Sequence, residues 1–116
     1  MRDDKENKII DLTFKFSVKI LEFCDELDQK RKFVLARQLL KSGTSIGANS
    51  REAQNAESKA DFIHKFKVAA KEADETEYWL QLCKVAANYP DPTDLLNDLN
   101  VIIKVISKII SSSKGS

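Results

Sequence analysis

The sequence predicts an all-α protein, an antiparallel up-down-up-down four-helix bundle, on three observations. Of its 116 residues 42% are hydrophobic and 32% charged, with three Gly and two Pro, a balance that suits long amphipathic helices better than a many-turned β-fold or a disordered chain. Apolar residues recur at steps of three and four through four stretches, which sets each series on one side of a helix. Short segments with helix-start and helix-stop chemistry separate the stretches, and short connections favour antiparallel neighbours. A chain of 116 residues holds one core, so a single domain over 1–116 is expected.

The first helix is predicted over about 5–28 from Ile9, Leu12, Phe16, Ile20, Phe23 and Leu27. A second series, Ile10, Phe14, Val18 and Leu21, widens the apolar face beyond the ~100° stripe that one bundle buries. These four residues are expected to form an oligomer interface.

The second helix is predicted over about 32–56, where Leu35, Leu39, Ser42, Ile46, Asn49, Ala53 and Ala56 alternate by four and three. Gly43 and Gly47 lie inside it, each costing roughly 1 kcal/mol relative to Ala, but the seam keeps its phase across both. Ser42, Gly43, Gly47 and Asn49 mark a site of close helix packing, with Ser42 and Asn49 hydrogen-bonded in the core. Ala69, Ala70 and Ala73 of the third helix are the expected neighbours. The functional alternative, a polar pocket or phosphate cradle made by the Ser, Thr and Asn groups, lacks the GxxxxGK[ST] spacing and the preceding strand of a P-loop.

Ser58-Lys59-Ala60-Asp61 reads as a helix start, with Ser58 as N-cap. Phe62, Phe66, Ala69, Ala73, Thr76, Leu80, Cys83 and Ala87 then carry a third helix over about 59–88, the longest of the four. Pro90 and Pro92 force a turn. The fourth helix, over about 93–111, rests on Leu95, Leu99, Ile102, Ile106 and Ile109, and a flexible tail is expected at 112–116.

Composition and spacing exclude several functions. Cys24 and Cys83 match no zinc spacing and sit in apolar stretches, as reduced structural thiols do. The opening MRDDKENK is too polar for a signal peptide, and no run reaches the ~18 apolar residues of a membrane span, so a cytoplasmic location without membrane association is expected. Glu72 and Glu75, with Glu52 across from them, could suggest a bundle metal site, but the lone His64 has no acid three residues before it; no metal and no cofactor are expected. A second histidine and a strand-turn-helix setting for a serine are both absent, so no catalytic residue is assigned and no enzyme is expected.

Charge is near balance overall, at +1, yet unevenly spread. Between Gln29 and Arg51 every charged residue is basic, whereas Glu72 to Asp98 carries seven acids against Lys84 alone. Arg37, Lys41 and Arg51 of the second helix, with Lys59, Lys65, Lys67 and Lys71 of the third, are the candidate nucleic-acid-binding residues. The plain alternative is a solvated face paired with acids. Tyr78 and Trp79 read as core or interface anchors.

The run Ala36 to Asn49, with its SGTSIGAN segment, then Arg51-Glu52-Ala53, the SKADF segment at Ser58 to Phe62, and Lys71 to Leu80 together resemble the bacterial four-helix-bundle family of 23S ribosomal RNA intervening-sequence proteins over essentially the whole chain. The resemblance implies an antiparallel four-helix bundle assembled as a ring-like homopentamer, which would cover the extra apolar face of the first helix. Related proteins include the accessory variability determinants of diversity-generating retroelements, barrel-shaped pentamers that bind nucleic acid and a reverse transcriptase. Those relatives are strongly basic, unlike this chain. The functional expectation is therefore a non-enzymatic homo-oligomeric scaffold that binds RNA or other nucleic acid, the alternative being a protein-binding adaptor with no nucleic-acid role.

Overall fold

The computed structural model describes residues 4–115, with side chains from Lys8 onward. Four helices follow in order: α1 Asp4–Gln29, α2 Phe33–Ala53, α3 Lys59–Val85 and α4 Thr93–Lys114. Each contacts its neighbour in sequence and α4 closes on α1, while the diagonal pairs stay apart. This is the up-down-up-down bundle, with extents of 47 × 20 × 19 Å.

Most of the predicted seams form the core, with Leu12, Leu35 and Phe62 half-buried at its edge. Ile9, Phe16, Ile20 and Leu27 of α1, Leu39 and Ile46 of α2, Phe66, Ala69, Ala73 and Leu80 of α3, and Leu99, Ile102 and Ile106 of α4 are all buried.

Each connection has a local cause. After α1, Arg31 turns left-handed at φ 64, the Arg31 N–H donates to the Asp28 carbonyl at 2.9 Å and the Lys32 N–H to Leu27 at 2.8 Å. These are the paired bonds of a Schellman C-cap. The α2 helix ends at Ala53, three residues before the expected boundary, because Gln54, Asn55 and Ala56 donate to carbonyls only three residues back, a tightening that uses up the terminal acceptors. Ser58 is the N-cap of α3 as expected, accepting from the Asp61 N–H at 3.0 Å. In return, the Asp61 carboxylate accepts from the Glu57 N–H at 3.3 Å.

Two boundaries differ further. Helix α3 ends at Val85 rather than 88, with Ala86 already extended and Asn88 left-handed at φ 67. The reversal thus occurs ahead of Tyr89-Pro90, where proline disfavours helix in the residue before it, and Ala87 is exposed rather than part of the seam. The expected tail is helical instead: α4 runs through Ser111, Ser112 and Ser113 to Lys114. Serine costs only a few tenths of a kcal/mol per residue in a helix already propagating. Ser116 lies outside the described residues.

Helix α2 passes through both glycines unbroken, but the helix they admit is α1. A Cβ on Gly43 would lie 2.9–3.0 Å from three atoms of Ile20, and one on Gly47 would lie 3.3 Å from Thr13. The alanines of α3 are therefore not their neighbours. Those alanines serve the other side of α2, where Ala69 and Ala73 are buried.

Candidate nucleic-acid and assembly surfaces

The hydroxyl-rich segment of α2 forms no cradle. Thr44 donates to the Leu40 carbonyl at 2.7 Å, Ser45 to Lys41 at 2.6 Å and Ser50 to Ile46 at 2.8 Å, so these groups bond their own helix. Ser42 is buried against Thr76 at 2.9 Å. Asn49 is half-buried rather than in the core and donates to the Ser45 carbonyl at 2.9 Å.

No metal constellation of three or more His, Cys, Asp or Glu side chains assembles among the described residues. Glu52 is held by Lys65 at 3.1 Å, and Glu75 accepts from the Trp79 indole N–H at 3.2 Å. His64 is exposed on α3. The thiols of Cys24 and Cys83 are buried and unlinked, and burial pushes both up to about 11. They lie on α1 and α3, which do not approach within 8 Å between Cα atoms, too far for a disulfide without backbone movement. No helix among the described residues is long and apolar enough to cross a membrane.

The apolar series on α1 remains uncovered in the single chain. Phe14 is 60% exposed, Leu21 and Val18 are also exposed, and Ile10 is half-buried. On the neighbouring helix Phe33, Leu40 and Gly47 follow at intervals of seven, and the first two are exposed as well. Between the helices, Ile10, Thr13, Phe14, Ser17, Gly47, Ala48 and Arg51 line a groove of about 230 Å³.

The seven predicted basic residues do not form one patch. Arg37 and Lys41 are exposed near the start of α2. Arg51, near its end, faces the α1 groove, whereas Lys65 lies on the other side of α2, bonded to Glu52. Lys59, Lys67 and Lys71 are exposed on the first half of α3. Ile10, Arg51, Gln54 and Asn55 line a polar hollow, and the Gln54 Oε1 atom is buried without a hydrogen-bond partner among the described residues.

Two features escaped the sequence reading. Val34, Leu35, Gln38, Trp79, Leu82, Val85, Ala86 and Tyr89 enclose an apolar groove of about 670 Å³ between the start of α2 and the end of α3. Val85 is 85% exposed there, and the Lys32 ammonium sits 4.7 Å from the Tyr89 ring centre. Trp79 is half-buried in this wall, but Tyr78 is exposed and only stacks on it edge-on at 5.2 Å. The signal was present: Val34, Leu82 and Val85 are apolar residues off the heptad seams. The second feature is a set of lysines on α1 and α4, Lys8, Lys104, Lys108 and Lys114, all exposed. Lys19 of α1 is instead consumed in an ion pair with Asp98 at 2.7 Å and Asp94 at 3.1 Å, and those hydrogen bonds raise its pKa.

The profile of the 23S rRNA-intervening sequence proteins matches residues 5–112. A crystal structure from Bacteroides thetaiotaomicron, of a protein of unknown function in the S23 ribosomal protein family, is 43% identical, covering 92% of this chain and 98% of that one at a TM-score of 0.87. No curated protein matches.

Proposed function

We propose, from the premise that this chain belongs to the 23S rRNA-intervening sequence protein family, that it is a non-enzymatic, homo-oligomeric scaffold in the cytoplasm that binds RNA or other nucleic acid. The observation that carries the assembly half is the exposed row Phe14, Val18 and Leu21 beside exposed Phe33 and Leu40. A monomer gains nothing from leaving such a face in water, and contiguous exposed apolar patches mark interaction sites. The pentamer implied by the resemblance is the number we propose. The binding half rests on Arg37, Lys41, Arg51, Lys67 and Lys71, exposed cations that enter no ion pair among the described residues.

One observation favours the second reading, a protein-binding adaptor: the apolar groove of about 670 Å³ with Trp79 and Tyr89 in its wall has the lining of a site for apolar side chains. Light scattering with and without a mixed single- and double-stranded RNA pool, at low and physiological salt, separates the two. The scaffold reading expects an oligomer that gains mass with RNA and loses it as salt rises. An oligomer indifferent to RNA at every salt concentration favours the adaptor, and a monomer removes the assembly half.

A further inference from the structure

Folding sorts the charges along the bundle. One end gathers the start of α1, the passage from α2 to α3 and the close of α4. Residues 8–16, 44–71 and 104–115, which make up that half, contain ten Lys and Arg against four Asp and Glu. Residues 17–43 and 72–103 contain seven against eleven. Asp4, Lys5 and Glu6 add one net negative charge to the sequence and cannot reverse this sign.

The acids of the basic half are largely engaged. Asp11 pairs with Lys15 and Glu52 with Lys65, each at 3.1 Å, and Asp61 caps the start of α3. Lys67 and Lys71 stand one turn apart on α3, and Lys104 and Lys108 one turn apart on the antiparallel neighbour α4. All four are exposed and form no ion pair among the described residues. Like charges at this spacing destabilise a helix, so the isolated bundle gains nothing from them.

We infer that this end of the bundle, centred on Lys67 and Lys71 of α3 and Lys104 and Lys108 of α4, docks on the phosphate backbone of double-stranded nucleic acid. The inference rests on the nucleic-acid reading above and moves its centre from α2 to the α3–α4 side. Lysines act as point charges suited to phosphate, and backbone contacts of this kind position a protein without reading sequence. Recognition of single strands calls for aromatic platforms on which bases stack, and residues 59–71 and 104–115 expose no large apolar or aromatic side chain. The same feature argues against a membrane surface, because nothing on this side would insert between lipids.

The test is fluorescence anisotropy on a random-sequence RNA duplex across a salt series, with helicity and mass of each variant checked in parallel. Lys67→Glu with Lys71→Glu, and separately Lys104→Glu with Lys108→Glu, are each expected to weaken binding at least ~10-fold and to flatten the salt dependence by about one unit of slope per lost phosphate contact. Lys30→Glu with Lys84→Glu, exposed in the opposite half and outside the candidate binding residues, is expected to change affinity less than ~2-fold. The Lys→Gln versions give the same ranking should a reversal disturb the fold. Loss of binding only when Arg37 and Lys41 are reversed to Glu, with the α3 and α4 pairs binding as wild type, overturns the location while leaving the nucleic-acid reading standing; a wild-type protein that ignores every nucleic acid removes that reading. Tighter binding to the single strand, or to phosphatidylserine vesicles in place of the duplex, also overturns the inference.

Discussion

The Ser42 and Thr76 hydroxyls meet at 2.9 Å across the α2–α3 interface, both fully buried, and Thr76 Oγ1 also lies 2.8 Å from the Glu72 carbonyl oxygen. Each group is satisfied only while the other is present or the backbone substitutes for it. Thr76→Val is expected to cost about 1–3 kcal/mol by leaving Ser42 without its partner. The double variant Ser42→Ala/Thr76→Val should recover part of that loss, because no polar atom is then orphaned. A double-mutant cycle by urea unfolding checks this; additive single costs would show that the two hydroxyls are not coupled.

The two glycines of α2 should respond in opposite directions to alanine. At Gly43 the added methyl meets fully buried Ile20 at 2.9 Å, and overpacking of about 1–3 kcal/mol outweighs the ~1 kcal/mol of helix propensity gained. At Gly47 the nearest atom lies at 3.3 Å, so Gly47→Ala is expected to be neutral or stabilising by up to about 1 kcal/mol. Unfolding midpoints at matched protein concentration give the answer.

Arg31 occupies a left-handed position, φ 64, where glycine is the usual residue. Arg31→Gly is expected to stabilise the protein by about 0.5–1 kcal/mol, since the side-chain clash costs more than the added freedom of the unfolded chain. An unchanged or lower midpoint would mean that the Arg31 side chain has a stabilising contact of its own.

The thiols give a pH dependence. Burial raises both from 9.0 to about 11, so the folded state keeps them neutral where the unfolded chain ionises. The resulting stabilisation is complete below pH 9 and declines as pH rises from 9 towards 11. At pH 8 the raised pKa lowers the thiolate fraction by a factor on the order of 100, and alkylation of the native protein should be slower than in urea by about that factor. Equal rates in the two conditions would contradict the burial of Cys24 and Cys83.

Assembly is expected to depend on the α1 face. Phe14→Glu with Val18→Glu places charge on exposed positions of the fold and should leave helicity intact while reducing the mass seen by light scattering to that of one chain. An unaltered mass would place the oligomer interface elsewhere, with the Val34–Val85 groove the next surface to examine.

Local chemistry alone determined much of this molecule. The heptad series of Leu39, Ser42 and Ile46, or of Phe66, Ala69 and Ala73, specify a buried stripe because 3.6 residues per turn return every third or fourth side chain to one face. The Ser58 cap and the Pro90/Pro92 turn act within a few residues of themselves, and both were readable. Helix ends at Ala53, Val85 and Lys114 were not, since they depend on how the chain reverses and on propagation through weak formers. Only tertiary structure could decide which helix approaches Gly43, that Lys65 is taken up by Glu52, and that Lys67, Lys71, Lys104 and Lys108 stay exposed with no ion pair among the described residues. Antiparallel packing places the last turns of α4 beside the first turns of α3. Charges that oppose one another only across helices cannot be summed along the chain.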